Sequence, residues 1–436
     1  MSTKQVVVPV TKPVVPPSQA VSKPSAYNKP AEGVPFFTPA QEPPAGTALD
    51  PQPKNATIPK LFQPLTIRGV TFQNRIFVSP MCQYSCLDGH QQPWNTAHLG
   101  GIISRGPGLT IMEASAVQPN GRITPEDSGI WSDSQIPGLT ELVQFAHSQN
   151  QKIGIQIAHA GRKASTVAPW LVGGLADKDA NGWPDDIVAP SAIPYADSYG
   201  SPREMSLKEI DELKADFIRG AQRAVKAGFD VIELHYAHGY LMHTFLSPVS
   251  NKRTDKYGGS FENRTRLALE IVEGVRAAIP EDMPLFVRIS STDWLEGNPD
   301  FPESWTVKDS CKLATLFAER GVDLIDPSSG GMHRAAKITG GPGYQTANAK
   351  EIKREVGDKM FVSAVGSITK GEQAQEILTT DTPLDVIFVG RMFQKDPALV
   401  WHWAEELELA IYVANQIGWG FGGRASRVSK KLASIP

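Results

Sequence analysis

The sequence predicts an α/β chain folded as a (β/α)8 barrel behind a disordered, proline-rich N-terminal tail. Three observations carry that prediction. Eight short apolar runs rich in β-branched residues recur between residues 61 and 390. Each run is near-continuously apolar rather than alternating, as expected of strands covered on both faces. Between many of them lie stretches with apolar residues at three- and four-residue steps, the helical spacing of a βα repeat. An open doubly wound sheet is the alternative, but no GxGxxG opens a helix after the first strand, so its dinucleotide fingerprint is missing.

Residues 1–56 open the chain and hold about a dozen of its 35 prolines, as in VVVPVTKPVVPPSQAVSKP. Proline fixes φ and removes a donor, so neither helix nor central strand forms there, and an extended tail or tether follows. A docking segment for a partner is the other reading of such composition. The segment lacks the uninterrupted apolar stretch of a signal peptide, and no Arg precedes Arg68, against a mitochondrial address. The barrel is expected over 57–415. Its strands are RIFVSPM (75–81), LTIMEAS (109–115), KIGIQIAH (152–159), DVIELH (230–235), LFVRIS (285–290), DLIDPSS (323–329), FVSAVG (361–366) and DVIFVG (385–390). A helix is expected at 206–227, where Ser206 and Glu209 form a capping box and Ile210, Leu213, Phe217, Ala221 and Val225 make an apolar stripe. Others are expected at 264–278, 307–320, 370–378 and 398–411. Residues 416–436 form a C-terminal extension.

Composition narrows the function. Among 436 residues, 43 are basic and 46 acidic, a net charge of −3 that argues against a nucleic-acid binder working by phosphate neutralisation. The cysteines Cys82, Cys86 and Cys311 are odd in number and lack CxxC spacing, against a disulfide scaffold, a zinc finger or an iron–sulfur site. No apolar run approaches the roughly 18 residues of a membrane span. A soluble enzyme of a reducing compartment, the cytoplasm, is expected.

Barrel enzymes place their chemistry at the carboxyl ends of the strands. Those ends read Ser79-Pro-Met-Cys82, Glu113-Ala114, Gln156 with His159, His235 through Tyr240, Arg288, Ser328-Ser-Gly330, Ala364-Val-Gly366 and Gly390-Arg391. Two of these rim segments are informative. In HYAHGY (235–240), His235 and His238 could donate a pair of hydrogen bonds to one oxyanion or ligate a metal. The metal reading has only Glu233 and His243 nearby as further ligands, with no second cluster on an early strand, so no metal site is expected. Tyr240 carries a phenol that stays protonated at neutral pH and can give its proton to a carbon. In AVGSI (364–368) and FVGRMF (388–393), glycine turns end the last two strands, where barrels commonly bind phosphate through backbone amides, and Arg391 adds a fixed positive fork.

From about residue 61 to 403 the chain resembles the old yellow enzyme family of FMN-dependent ene-reductases, most closely its thermophilic-like, class III subgroup. The matching stretches are NRIFVSPMCQYS (74–85), EASAVQPNGRI (113–123), IQIAHAGRKA (155–164), ELHYAHGYLMHTFLSPVSNKRTDKYGGSFENR (233–264), VRIS (287–290), SSGG (328–331) and VGRMF (389–393). The resemblance implies bound FMN with NADPH or NADH as reductant. Pro80, Met81 and Cys82 would line the flavin, and Gln156 and the backbone of Ala114 would meet its pyrimidine edge. Arg288 would sit beside N1 and O2, and Gly330, Gly366, Gly390 and Arg391 would cradle the phosphate. The resemblance further implies ping-pong reduction of the C=C bond of an α,β-unsaturated carbonyl or nitro compound. His235 and His238 would bind the substrate oxygen, Tyr84 would line the substrate pocket, flavin N5 would supply hydride and Tyr240 the proton. Bacterial relatives often carry an arginine before a C-terminal Gly-Trp pair that reaches a neighbouring subunit. Ile417 stands there in this chain, with Arg424 further on. A homodimer or larger homo-oligomer is left open, as are the physiological substrate, the choice of nicotinamide, the stereochemistry and the role of the tail.

Overall fold

The computed structural model describes residues 27–424 and 426–429. Eight parallel strands close into a barrel in chain order: Ile76–Val78, Leu109–Ala116, Ile153–Ala158, Val231–Tyr236, Leu285–Ser290, Leu324–Ser328, Phe361–Val365 and Val386–Val389, the eighth pairing back with the first. Every expected strand is present, trimmed by a residue or two at most ends. Helices cover the outside: Pro93–Ile103, Ile136–Ser148, Leu207–Ala227, Phe261–Ala278, Val307–Ala318, Thr346–Val356, Gly371–Thr379 and Leu399–Glu406. Ser206 caps the third of these through the Glu209 amide, and the Glu209 side chain returns to the Ser206 amide at 2.8 Å. The stripe residues Ile210, Leu213, Phe217 and Ala221 are buried against the barrel.

Two layers of core follow from strand alternation. Outward residues such as Ile232, Leu234 and Tyr236 pack under the helices. Inward residues at the amino end form a second apolar cluster that includes Phe77, Ile111, Val231, Phe286, Leu324 and Phe388. A short antiparallel hairpin, Leu65–Ile67 with Val70–Phe72, plugs that end, and Phe72 meets Phe77 at 4.8 Å between ring centres. Two residues further along four adjoining strands the inward position turns polar: Val231 gives way to Glu233 and then His235, Phe286 to Arg288, Leu324 to Asp326, Phe361 to Ser363. The barrel is thus dry below and polar above.

Two expectations change. Residues 1–26 of the proline-rich segment lie outside the described residues, but 38–52 run along the barrel rather than away from it. Gln41, Ala45, Ala48 and Gln52 are buried there, and Gln52 donates to Ala410 O and accepts from Ala410 N, both at 2.9 Å. Proline forbids regular elements without forbidding side-chain contacts, so an irregular strap can still dock. The last helix ends at Glu406 rather than 411, because Glu408 takes a left-handed φ of 54° and Ile411 pairs instead with Ala48. The extension from 416 is also held, with Ser429 N donating to Ile411 O at 2.8 Å. No helix among the described residues is long and apolar enough to cross a membrane.

Candidate active site

Strand register assembles the site. Gln156 lies beside Glu233 on adjoining strands, and His235 beside Arg288, which in turn lies beside Asp326. Above them opens a cleft of about 740 Å3, bordered by Pro80, Met81, Cys82, Tyr84, Ala114, Gln156, His235, His238, Tyr240 and Arg288. Met81, His238 and Arg288 also border an adjoining cleft of about 380 Å3, which contains Gly366, Gly390 and Arg391. All but one of the residues anticipated at the site therefore face one trench. Gly330 is the exception. It lines neither cleft; its carbonyl accepts from Ser290 Oγ at 2.8 Å, and its amide donates to Thr292 O. It shapes the loop rather than the cradle.

The imidazoles and the phenol sit together. The rings of His235 and His238 are 5.3 Å apart and nearly perpendicular, and Tyr240 lies 5.3 Å from His235. Burial, reinforced by Arg288, His243 and Lys163, lowers His235 to about 3, and burial lowers His238 well below the usual range. Both are neutral rings at neutral pH, each with one N–H to donate. His235 Nδ1 has no protein partner. His238 Nε2 meets Ser328 Oγ at 2.7 Å, so the serine hydroxyl orients that ring. Burial raises the Tyr240 phenol well above its ordinary range, keeping it protonated. Burial likewise makes Cys82 a neutral thiol. Arg288 is fixed by Asp326 Oδ2 at 2.5 Å and by Ser79 Oγ at 3.1 Å, while Ser363 holds the other Asp326 oxygen at 2.5 Å.

Sequence reasoning missed several supporting residues. Lys163 is half-buried and has no carboxylate beside it; its Nζ donates to His238 O at 2.8 Å and Gly331 O at 2.6 Å and lies 3.9 Å above the Tyr195 ring. Burial and Arg162 lower it to about 7. This clamp holds His238 in a left-handed conformation, φ 61°, against a loop that approaches so closely that a Cβ on Gly331 would lie 2.5 Å from the His238 carbonyl carbon. A bulge between Met112 and Ser115 turns Ala114 toward the cleft, while Glu113 accepts from Gln83 N at 2.5 Å and Asn95 Nδ2 at 2.7 Å, anchoring the loop that carries Cys82 and Tyr84. Trp170 caps the rim edge-on to Tyr84 at 5.6 Å. His159 is turned away to Gln118 and the Gly161 amide, and His243 lies 3.0 Å from Asp293, though the ring is not aimed for a straight hydrogen bond.

This trench suits FMN. One arm offers a planar slot walled by Pro80, Met81 and Cys82, with Gln156 and Arg288 at its inner edge. The other offers two short turns, 366–369 and 390–392, whose backbone can approach a phosphate closely, with Arg391 and Lys395 bordering it and neither paired to a carboxylate. A Cβ on Gly366 would lie 2.6 Å from Gln345 Nε2, so only glycine leaves this arm open at φ 108°.

Residues 60–410 match the NADH:flavin oxidoreductase / NADH oxidase family. The chain is 54% identical over 409 residues to an NADH:flavin oxidoreductase of Gibberella zeae, covering 92% of this chain and 97% of that one. It is 45% identical over 367 residues to the NADPH dehydrogenase of Bacillus subtilis, covering 83% and 99%. Among solved structures, morphinone reductase in complex with tetrahydroNAD superposes with a TM-score of 0.65 at 25% identity, over 79% of this chain and 90% of that one. The old yellow enzyme homologue of Zymomonas mobilis gives 0.65 at 28%, over 81% and 95%. The resemblance read from the motifs is borne out. By sequence and by fold, the chain belongs to the NADH:flavin oxidoreductase / NADH oxidase family, the old yellow enzymes, and is an FMN-dependent oxidoreductase that uses a nicotinamide as reductant.

Proposed function

We propose that this enzyme reduces the C=C bond of α,β-unsaturated carbonyl or nitro compounds, taking its electrons from NADPH or NADH in a ping-pong cycle. The close grouping of two neutral imidazoles and a protonated phenol around one cleft carries this reading. FMN, when bound, relays two electrons as hydride between the nicotinamide and the alkene. Pro80, Met81, Cys82 and Ala114 would wall it, Gln156 and Arg288 would meet its ring, and Gly366, Gly390 and Arg391 its phosphate.

The chain's own residues do the rest. His235 and His238 donate N–H groups to the substrate oxygen, where negative charge grows during reduction, and a donor fixed in advance stabilises that charge without reorganising. Neutral rings suffice for the task, because each keeps one N–H to donate. Tyr240 holds a proton that solvent cannot readily replace and delivers it to the α-carbon. Tyr84 and Trp170 exclude water from the apolar end of the substrate. The test is anaerobic mixing of the purified yellow protein with NADPH and then with 2-cyclohexenone or a maleimide. Bleaching by the first and recovery by the second, with the saturated product released, is expected. A protein without flavin, or a bleached flavin that no activated alkene reoxidises, overturns the proposal.

A further inference from the structure

Glu233 is a buried acid that the reaction above does not use. It lies two residues before His235 on the fourth strand, at the level where the barrel interior turns from apolar to polar, and has no exposed surface. Its Oε1 accepts from Gln156 Nε2 at 2.7 Å, while its Oε2 has no partner. The charges facing it are Arg288 on the fifth strand and Asp326 on the sixth; His235 follows on its own strand as a neutral ring. Arg288 is already committed to Asp326 and Ser79. With both acids ionised this layer carries one surplus negative charge, and one carboxylate oxygen is left buried without a donor, a costly state that protonation relieves.

We infer that Glu233 is a positioning residue that fixes Gln156 at the flavin edge and takes up a proton when negative charge arrives on the cofactor beside Arg288. The inference rests on the function proposed above. The balance is explicit. Hydride from the nicotinamide carries two electrons and one proton to the flavin and leaves the nicotinamide as its oxidised pyridinium form. The flavin side thereby gains one negative charge, and an ionised Glu233 takes one further proton from solvent, returning the net charge of flavin and layer to its value before reduction. Burial and Asp326, opposed by Arg288, raise Glu233 to about 8. Below that pH the acid is already protonated and reduction takes up no extra proton; above it, reduction does.

The test is the midpoint potential of the FMN-loaded chain, measured by spectroelectrochemistry from about pH 6 to about pH 10. One proton per two electrons corresponds to about 30 mV per pH unit, and a second proton adds as much again. The wild type is expected to steepen from about 30 to about 59 mV per pH unit above roughly pH 8. Glu233→Gln, nearly isosteric and permanently neutral, is expected to hold the shallow slope throughout. Glu113→Gln, removing the other acid raised to about 8, is expected to keep the break. A wild-type plot that stays shallow, or a break that survives Glu233→Gln, overturns the inference whatever happens to activity. Infrared spectra add a direct readout: a protonated-carboxyl band lost above about pH 8 that Glu233→Gln removes and Glu113→Gln leaves in place supports it, and the lack of such a band opposes it. A chain that takes up no FMN overturns the proposed function itself, an outcome distinct from a loaded chain with an unbroken plot.

Discussion

Tyr240 begins a six-residue helix, Leu241–Leu246, directly after the loop that carries His238. Its ring is packed against His235, and its proton is held by burial rather than by a partner base. Tyr240→Phe should keep FMN and reduction by NADPH while slowing alkene reduction by about 10²-fold or more, the range for a lost general acid. Single-turnover kinetics of the two half-reactions read this directly, and an unchanged alkene half-reaction would remove Tyr240 from its role. Glu113 offers a stability test with a definite sign. Burial raises it from 4.5 to about 8, so across that window the folded chain holds a proton that the unfolded chain has lost, and stability falls as pH rises through it. Glu113→Gln removes that decline, so the melting temperature of the variant minus that of the parent should increase from about pH 5 to about pH 8. A difference independent of pH would mean that Glu113 ionises normally. At this scale His235, His238 and Tyr240 were legible because they crowd one short motif. Lys163, and the parts that Ser328 and Glu233 play, were not, since a lysine clamp or an inward acid shows only when distant segments are laid side by side.

The elements divide by how local their causes are. The helix Leu207–Ala227 announces itself through its cap and stripe, and both are realised. The helices Pro93–Ile103, Ile136–Ser148 and Thr346–Val356 went unread, the first two because glycine and proline blur their period, the third because it is short and largely polar. The turn after the seventh strand is where an element touches function most directly. Gly366→Ala forces a left-handed alanine against Gln345, a strain of roughly 1–2 kcal/mol. FMN affinity should fall about tenfold with the far-ultraviolet spectrum unchanged, as read by titrating apoprotein with FMN. Unaltered affinity would place the phosphate elsewhere.

Across the whole molecule, the strap over 38–52 ties the start of the described chain to the segment after the last helix, and Gln52 is its main bolt, bonded to both backbone groups of Ala410. Gln52→Ala would leave Ala410 N without a protein partner, while Ala410 O keeps the Leu49 amide at 2.9 Å, so a loss of about 1–3 kcal/mol is expected in urea unfolding. Early proteolytic release of the strap should accompany it, and a stability within about 0.5 kcal/mol of the parent would show that the strap is idle. Composition read this region as a free tail because it reports which regular elements proline forbids, and is silent on which side chains find a groove. The sequence alone determined the barrel, since eight doubly covered strands with helices between them have few other ways to bury their faces. It also marked His235, His238 and Tyr240 as a group, because those residues fall within one short motif. Only the tertiary structure decided the rest: which strand residues face inward, how Gln156, Glu233, Arg288 and Asp326 come to share one polar layer, and that Gly330 shapes a loop instead of the cradle. Register and closure are relations between strands up to hundreds of residues apart, and no local pattern encodes them.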